Sequence, residues 1–255
     1  MVDSRVLILG GTAEARALAK ALVAEGIPVI SSLAGRVQNP RLPVGEVRIG
    51  GFGGVEGLRK WLGDNQIRAV VDATHPFAVR ITANAAQACA QADVPLIRLA
   101  RSAWEAGPAD RWISVPDIDA AAEAVAERGG RVFLTTGRQD VDAFAGVENA
   151  WFLIRVVDPP EGPLPAHHEI LRSRGPYGLD DERALLAEHR ITLLVTKNSG
   201  GELTRAKLTA AAEVGIDVIV VERPSEPAGV ECVTSAAAAV DCVRSIVRAA
   251  DSADR

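Results

Sequence analysis

The sequence predicts an α/β fold of two domains, each built on a mainly parallel sheet, with the two sheets facing a central cleft. Short apolar runs alternate with longer, alanine-rich segments of helical pattern along nearly the whole chain. This alternation is typical of strands joined by crossover helices. It breaks at residues 100–108 and then resumes, in a chain of 255 residues that is long enough for two cores. We therefore expect domains at residues 1–99 and 100–255.

The first half is predicted to alternate strands with helices. Thr12 is a suitable N-cap for the first helix, Gly26 can end it, and Pro76 fits the first turn of a later helix. The expected strands are 6–9, 28–31, 46–50, 69–72 and 95–99. The expected helices are 12–25, 55–65 and 76–92.

The second half repeats the same alternation. Two prolines at 159 and 160 close one of its strands, and residues 161–168 are predicted to be irregular. The expected strands are 112–115, 131–136, 151–157, 191–196 and 217–221. The expected helices are 118–128, 179–188, one beginning near 203, and a closing helix at 235–250.

Composition argues against several classes of function. The net charge of -5 offers no basic face to a nucleic acid. No apolar run reaches the ~18 residues of a membrane span, and the chain begins without a secretory apolar region. The three cysteines are widely spaced, which predicts small core residues rather than disulfides or a metal site. We expect a cytoplasmic monomer without a metal.

The turn after the first strand has the features of a phosphate-binding site. Backbone N–H groups at a helix start, together with the helix dipole, attract a phosphate. Compared with the dinucleotide fingerprint G-x-G-x-x-G/A, Thr12 replaces the second glycine and Ala15 the third. A glycine turn in any parallel α/β protein is therefore the alternative. The candidate cofactor-binding residues here are Gly10, Gly11, Thr12, Glu14 and Arg16.

The end of the second predicted strand favours a 2'-phosphate. Domains that bind NAD place an Asp or Glu there for the ribose hydroxyl. This chain has hydroxyls and an arginine instead, which suit NADP(H), although a loop arginine can also be merely solvated. The candidates are Ser31, Ser32, Gly35 and Arg36.

A third polar turn follows the strand at residues 69–72. Asp72, Thr74 and His75 lie at the carboxyl end of a parallel strand, where open α/β sheets bind ligands. Asp72 or Thr74 could instead cap the next helix, and His75 could pack beneath it. Because a cap needs only one polar residue, we favour a functional site, with Asp72 and Thr74 near the cofactor.

Two further polar turns follow strands of the second half. They supply cations, amides, hydroxyls and exposed backbone, which is more than a connection requires. A dinucleotide on the first half and an anionic ligand on the second would suit hydride transfer. The candidate substrate-binding residues are Gly137, Arg138, Gln139, Lys197, Asn198, Ser199 and Gly200. Arg174, before the helix at 179–188, is either an anion site or a solvated residue.

Five motifs in order resemble the precorrin-6A reductase family of cobalamin biosynthesis, over nearly the whole chain. They are Gly10-Gly11-Thr12-x-Glu14-Ala15-Arg16, Asp72-Ala73-Thr74-His75-Pro76-Phe77-Ala78, Thr136-Gly137-Arg138-Gln139, Arg174-Gly175-Pro176-Tyr177 and Thr196-Lys197-Asn198-Ser199-Gly200-Gly201. Tyr177 departs from an expected phenylalanine. The resemblance implies two Rossmann-like domains and NADPH-dependent reduction of a ring double bond of precorrin-6A to give precorrin-6B.

The resemblance also implies a macrocycle with many carboxylate side chains as the small-molecule partner. This gives Arg101, Arg138, Arg174 and Lys197 a reason to line the site. His75 is the candidate catalytic proton donor, because it is the histidine at a predicted strand-end turn. Water is an alternative donor. Two other functions stay open, namely a cobalt-precorrin-6A reductase and a non-catalytic NADPH-sensing protein.

Overall fold

The computed structural model describes residues 5–35 and 40–253, and the chain divides into two compact units. The first unit consists of the chain up to Ser102 and from Pro224 onward. The second unit is Ala103–Arg223. Each unit contains one six-stranded sheet, and all strand pairs described are parallel. This confirms the predicted α/β class with parallel sheets.

The first unit has its sheet in the order β12-β5-β4-β1-β2-β3. Its strands are β1 (Arg5–Leu9), β2 (Val29–Leu33), β3 (Glu46–Ile49), β4 (Ile67–Asp72), β5 (Leu96–Leu99) and β12 (Glu231–Val233). Its helices are α1 (Ala13–Ala24), α2 (Gly54–Asp64), α3 (Val79–Ala92) and α7 (Ala236–Ala253).

The core of this unit explains why β1 is apolar from Val6 to Leu9. Successive side chains of a strand point to opposite faces of the sheet. Val6 and Ile8 pack with α1 and α7, whereas Leu7 and Leu9 pack with α2 and α3. Since helices cover both faces, every residue from Val6 to Leu9 is buried.

The second unit has its sheet in the order β6-β11-β10-β7-β8-β9. Its strands are β6 (Trp112–Val115), β7 (Gly130–Leu134), β8 (Ala150–Val156), β9 (His168–Arg172), β10 (Leu193–Lys197) and β11 (Asp217–Val221). Its helices are α4 (Ile118–Arg128), α5 (Leu179–Glu188) and α6 (Ala206–Val214), with short 3-10 helices at Val141–Phe144 and Glu202–Thr204. Leu186 of α5 and Leu208 of α6 pack in one cluster with Phe133, Leu153 and Leu194 of the central strands.

The carboxyl-terminal segment differs from the sequence prediction, which placed it in the second domain. Residues from Pro224 onward belong to the first unit, because β12 pairs with β5 and α7 packs against α1. Ala239, Val240 and Val243 of α7 are buried in the same cluster as Val6 and Ile8. The chain therefore leaves the first unit and returns to complete it.

Two strands were not predicted, and both lie at sheet edges. β9 falls at the end of the segment expected to be irregular, and β12 lies after the loop at 224–227. Only one side of an edge strand is hydrogen-bonded, so it needs less apolar sequence than a central strand. None of the three residues of β12 is fully buried, which is why its sequence carries no strand signal.

The cysteines confirm the prediction of core residues only in part. Cys89 is buried against the sheet, and burial, followed by the negative charge of Asp72, raises the pKa of its thiol to about 12. Cys232 is exposed and Cys242 is half-buried. Among the described residues, no group of three potential ligands could hold a metal ion. No described helix is both long and apolar enough to span a membrane.

We predict that Val243→Ala destabilises the first unit by about 2 kcal/mol, because it removes two methyl groups from a fully buried site and leaves a cavity. Urea unfolding followed by circular dichroism measures this loss. Val79→Ala is the matched control in the same unit, since Val79 is 54% exposed and should change stability by less than about 0.5 kcal/mol. Equal effects of the two substitutions would contradict the assignment of α7 to this core.

Candidate active site

Polar side chains of the first unit gather at the carboxyl ends of β1, β2, β4 and β5. Parallel strands end at the same edge of a sheet, so turns that are far apart in sequence become neighbours. Thr12 shows this directly. Its hydroxyl accepts the N–H of Ala15 at 3.0 Å, which caps α1, and donates to the carbonyl of Ala73 at 2.8 Å. The predicted cap is confirmed, and the same hydroxyl joins the turn after β1 to the turn after β4.

Glu14 and Arg101 lie together beside this turn. Arg101 Nη1 donates to Glu14 Oε2 at 2.9 Å, and the two side chains are 19% and 26% exposed. Sequence reasoning had assigned Glu14 to the cofactor and Arg101 to the substrate. The ion pair neutralises both charges in this structure, so neither is a simple ionic anchor.

A small pocket opens between the start of α1 and the end of β2. Its floor includes Ser31, which is 1% exposed and whose Oγ has no hydrogen-bond partner among the described residues. Gly11 has φ 115°, a conformation that favours glycine, and a Cβ there would meet nothing within 4 Å. The pocket is lined by Gly10, Gly11, Ala15, Arg16, Ser31, Leu33, Arg41 and Pro43.

Two other residues predicted near the end of β2 have different outcomes. Gly35 has φ 75°, and a Cβ there would come within 3.1 Å of Ile49, so both backbone and space favour glycine. Arg36 lies outside the described residues. Its predicted contact with a 2'-phosphate stays a prediction.

Ser32 faces the other side of the sheet from Ser31 and is held by Arg48, which sequence reasoning missed. Arg48 Nη1 donates to Ser32 Oγ at 2.6 Å and to the carbonyl of Gly50, and Nη2 donates to the carbonyl of Gly51. The guanidinium lies 3.8 Å from the ring centroid of Phe52, and burial lowers its pKa. Arg48 therefore fixes the end of β2 and the loop after β3.

Asp72 is buried, with only 1% of its surface exposed. Its Oδ1 accepts the N–H and the hydroxyl of Thr74, and its Oδ2 accepts the hydroxyl of Thr82 at 2.6 Å. Arg98 is also 1% exposed. Its Nη1 lies 3.2 Å from Asp72 Oδ1 and donates to the carbonyls of Asp72 and Thr74. Arg98 Nε donates to Glu226 at 2.9 Å. Asp72 and Thr74 therefore shape their turn, and their expected contacts with the cofactor stay predictions.

His75 follows this buried network. The backbone N–H of Phe77 donates to His75 Nδ1 at 3.3 Å, and the two rings pack with centroids 5.7 Å apart. Because Nδ1 accepts a hydrogen bond, a neutral His75 carries its proton on Nε2.

In the second unit, the turn after β10 holds both chain segments that connect to the first unit. Asn198 Oδ1 accepts the N–H of Trp104 at 2.8 Å, and Asn198 Nδ2 donates to the Trp104 carbonyl at 3.0 Å. Trp104 Nε1 donates to the carbonyl of Gly201, and Arg223 Nε donates to the carbonyl of Asn198. The amide of Asn198 therefore fixes the backbone of Trp104, and its predicted contact with substrate stays a prediction.

Other predicted residues lie at the same edge of this sheet. Lys197 Nζ donates to Asp140 at 2.5 Å, and both side chains are less than one-fifth exposed. Arg138 contacts Glu161 at 3.3 Å on the surface. Thr136 is 7% exposed, and its Oγ1 has no partner within the described part of the chain. The remaining candidates here are Gln139 and Ser199, with Gly137 and Gly200 at positive φ.

The segment that contains Arg174 and Tyr177 packs against the buried guanidinium of Arg155. Arg155 pairs with Glu182 at 2.6 Å, and its guanidinium lies 3.8 Å from the Tyr177 ring centroid and 4.6 Å from that of Phe133. The aromatic ring, which phenylalanine would also supply, covers Arg155. Arg174 itself is exposed.

Arg98 and Arg155 had a recognisable signal in the sequence. Each interrupts an otherwise apolar strand whose neighbours are buried on both faces. A charged residue is almost never fully buried unless it is paired. An arginine in such a strand therefore predicts a buried ion pair, although not which carboxylate completes it.

Comparison with known proteins gives consistent results. A family model described as Precorrin-6x reductase CbiJ/CobK matches residues 5–244. A precorrin-6A reductase of Mycobacterium tuberculosis (strain CDC 1551 / Oshkosh) is 61% identical over 234 residues, which cover 91% of this chain and 94% of the relative. A cobalt-precorrin-6A reductase of Priestia megaterium is 31% identical over 235 residues, with 86% and 90% covered. A solved structure, CobK precorrin-6A reductase, has a TM-score of 0.90 and 41% identity, with 95% and 97% covered.

The parallel sheets, the glycine turn after β1 and the polar turns at the strand ends define a Rossmann-like α/β enzyme. The chain belongs to the precorrin-6x reductase CbiJ/CobK family. It is a precorrin-6x reductase, an oxidoreductase of cobalamin biosynthesis that reduces a carbon–carbon double bond.

We predict that Arg98→Met destabilises the protein by about 3–5 kcal/mol, because it leaves the buried carboxylate of Asp72 without its cation. Urea unfolding measures the change. Arg59→Met is the control, since Arg59 forms a solvent-exposed pair with Glu56 and should cost at most about 0.5 kcal/mol. A loss below about 1 kcal/mol for Arg98→Met would show that the buried pair does not stabilise this turn.

Proposed function

We propose that the hydride donor is NADPH and that its adenosine end binds the first unit beside the start of α1. The buried hydroxyl of Ser31 carries this proposal. It lines the pocket there and has no partner among the described residues. Because an unpaired buried hydroxyl costs about 1–3 kcal/mol, we expect a ligand oxygen to complete it.

The other groups around this pocket suit a phosphorylated nucleotide. The first N–H groups of α1 lack partners within the helix, and they point toward the turn where a diphosphate would lie. The open space above Gly11 allows a ligand to approach the backbone closely. Arg16 lines the pocket and supplies a guanidinium for a phosphate oxygen. We therefore assign the contacts to Gly10, Gly11, Arg16 and Ser31, with Thr12 shaping the turn.

When bound, NADPH supplies a hydride from its dihydronicotinamide ring. The chain must then hold the acidic macrocycle and provide a proton for the carbon next to the one that is reduced. We assign the proton to His75 Nε2, because Nδ1 already accepts the N–H of Phe77.

We propose that cations of the second unit bind carboxylates of the macrocycle. Arg138 is a suitable anchor because its partner, Glu161, is 87% exposed, and such a surface pair is weak enough to be exchanged. Lys197 is paired with Asp140, so it offers an N–H donor with little net charge. The proposed set on this unit is Gly137, Arg138, Gln139, Arg174, Lys197, Ser199 and Gly200. Arg101 of the first unit is paired with Glu14, so it can bind substrate only when a substrate carboxylate replaces Glu14 as its partner.

We infer that the substrate is the metal-free macrocycle. The relative named precorrin-6A reductase is 61% identical to this chain, whereas the relative named cobalt-precorrin-6A reductase is 31% identical. The difference in identity favours the metal-free substrate.

We test this function by incubating the purified protein with precorrin-6A and either NADPH or NADH, with cobalt-precorrin-6A in parallel. Absorbance of the cofactor and of the macrocycle should change together, at one cofactor per macrocycle, fastest with NADPH and precorrin-6A. Equal rates with NADH would contradict the cofactor assignment, and faster turnover of cobalt-precorrin-6A would contradict the substrate assignment. Binding of NADPH without oxidation would favour the sensor function.

We predict that His75→Ala lowers kcat by about 100-fold or more, because the loss of a positioned proton donor removes general acid catalysis. The Kd for NADPH should stay within about twofold, since cofactor contacts are assigned elsewhere. Steady-state kinetics and fluorescence titration measure the two quantities. His75→Gln keeps a polar side chain of similar length and should also be slow. Near-normal kcat in His75→Ala would assign the proton to water instead.

A further inference from the structure

The pocket between α1 and β2 contains an arginine that the sequence motifs do not include. Arg41 lies in the connection between β2 and β3, outside each of the five sequence motifs, and lines the pocket together with Arg16 and Ser31. We propose that Arg41 is the residue that selects NADPH over NADH, by binding the 2'-phosphate. This inference rests on the proposed function, because it names the residue that gives that site its specificity.

The pocket has the chemistry of a second anion site next to that of the diphosphate. The start of α1 provides one electropositive wall, and the hydroxyl of Ser31 provides an unpaired donor that is 1% exposed. The buried hydroxyl is independent of the helix end, because it comes from a different strand. The described residues that line the pocket include no carboxylate. Hydroxyl and guanidinium groups are the donors that a phosphate dianion accepts hydrogen bonds from.

The place of this pocket identifies which phosphate it suits. In Rossmann-like domains, the ribose that carries the 2'-substituent lies at the carboxyl end of the second strand. Ser31 is in β2 and pairs in register with Ile8 of β1, two residues before Gly10. The pocket therefore lies where the ribose of the adenosine end is expected, beside the turn that suits the diphosphate. NADH lacks the 2'-phosphate that would fill this pocket.

Two other arginines near β2, among the residues that the structure describes, do not fit this role as well. Arg48 faces the opposite side of the sheet, where its guanidinium holds Ser32 and the carbonyls of Gly50 and Gly51. Arg16 is on α1, one turn beyond the cap, and is already assigned to the diphosphate in the proposed function. Arg41 is exposed at the pocket, so it can exchange bound water for a phosphate without breaking a buried pair.

The test is to measure Kd for NADPH and for NADH by fluorescence titration with the full chain. For Arg41→Ala, the Kd for NADPH should rise by about 10- to 100-fold, the range for a lost charge-assisted hydrogen bond, while the Kd for NADH changes less than about twofold. Arg41→Lys should recover part of the loss, because it keeps the charge without the planar fork. Ser31→Ala should also raise the Kd for NADPH more than the Kd for NADH, by a smaller factor than Arg41→Ala. Arg59→Ala, on the exposed face of α2, is the matched control and should leave both constants unchanged.

The outcomes separate this inference from the proposed function. If the wild-type protein bound neither cofactor, the proposed function would fail and this inference with it. If the wild type bound NADPH tightly and Arg41→Ala weakened both cofactors equally, or neither, only the inference would be wrong. A loss specific to NADPH in Arg36→Ala, with none in Arg41→Ala, would likewise overturn it. Circular dichroism and thermal unfolding of each variant confirm that a change in Kd does not reflect loss of fold.

Discussion

The buried ion pair of Asp72 and Arg98 is the interaction on which the first unit most depends. Both side chains are 1% exposed, so the cost of removing two charges from water must be offset by close contacts. The contacts come from the hydroxyls of Thr74 and Thr82 and from Glu226. They attach the turn before His75 to the segment through which the chain returns to complete the sheet. The same ion pair therefore fixes the turn of the candidate site and stabilises the fold of the first unit.

The arginines of this protein divide into two kinds, according to exposure. Arg98 and Arg155 are buried, and each is committed to a carboxylate and to carbonyls or aromatic rings. Arg41 and Arg174 are exposed, and Arg138 has an exposed partner. Only the second kind can exchange its surroundings for a ligand at low cost, because a buried guanidinium that loses its partner is left uncompensated.

The polar turns of the candidate site were visible in the sequence, but the tasks of individual residues were not. Thr12 was expected to cap α1 and does so, since a cap is set by residues three positions apart. Asp72 and Asn198 were expected to face ligands. In the structure they are paired with Arg98 and Trp104, which are 26 and 94 residues away in the chain, and their contacts with ligands stay predictions. A polar residue at a strand end predicts a site, and the partners that fold against it decide whether its side chain is available.

By itself, the sequence determined the parallel α/β class, the positions of most strands and helices, the glycine turn before α1 and membership of the reductase family. These depend on local periodicity, on capping and on motifs that need no distant partner. Only the tertiary structure decided that β12 and α7 complete the first sheet, that Arg98 lies inside it, and that Ser31 shares a pocket with Arg41. Each of these arises where segments distant in sequence meet, and a charge or a hydroxyl acquires its role from what is packed against it.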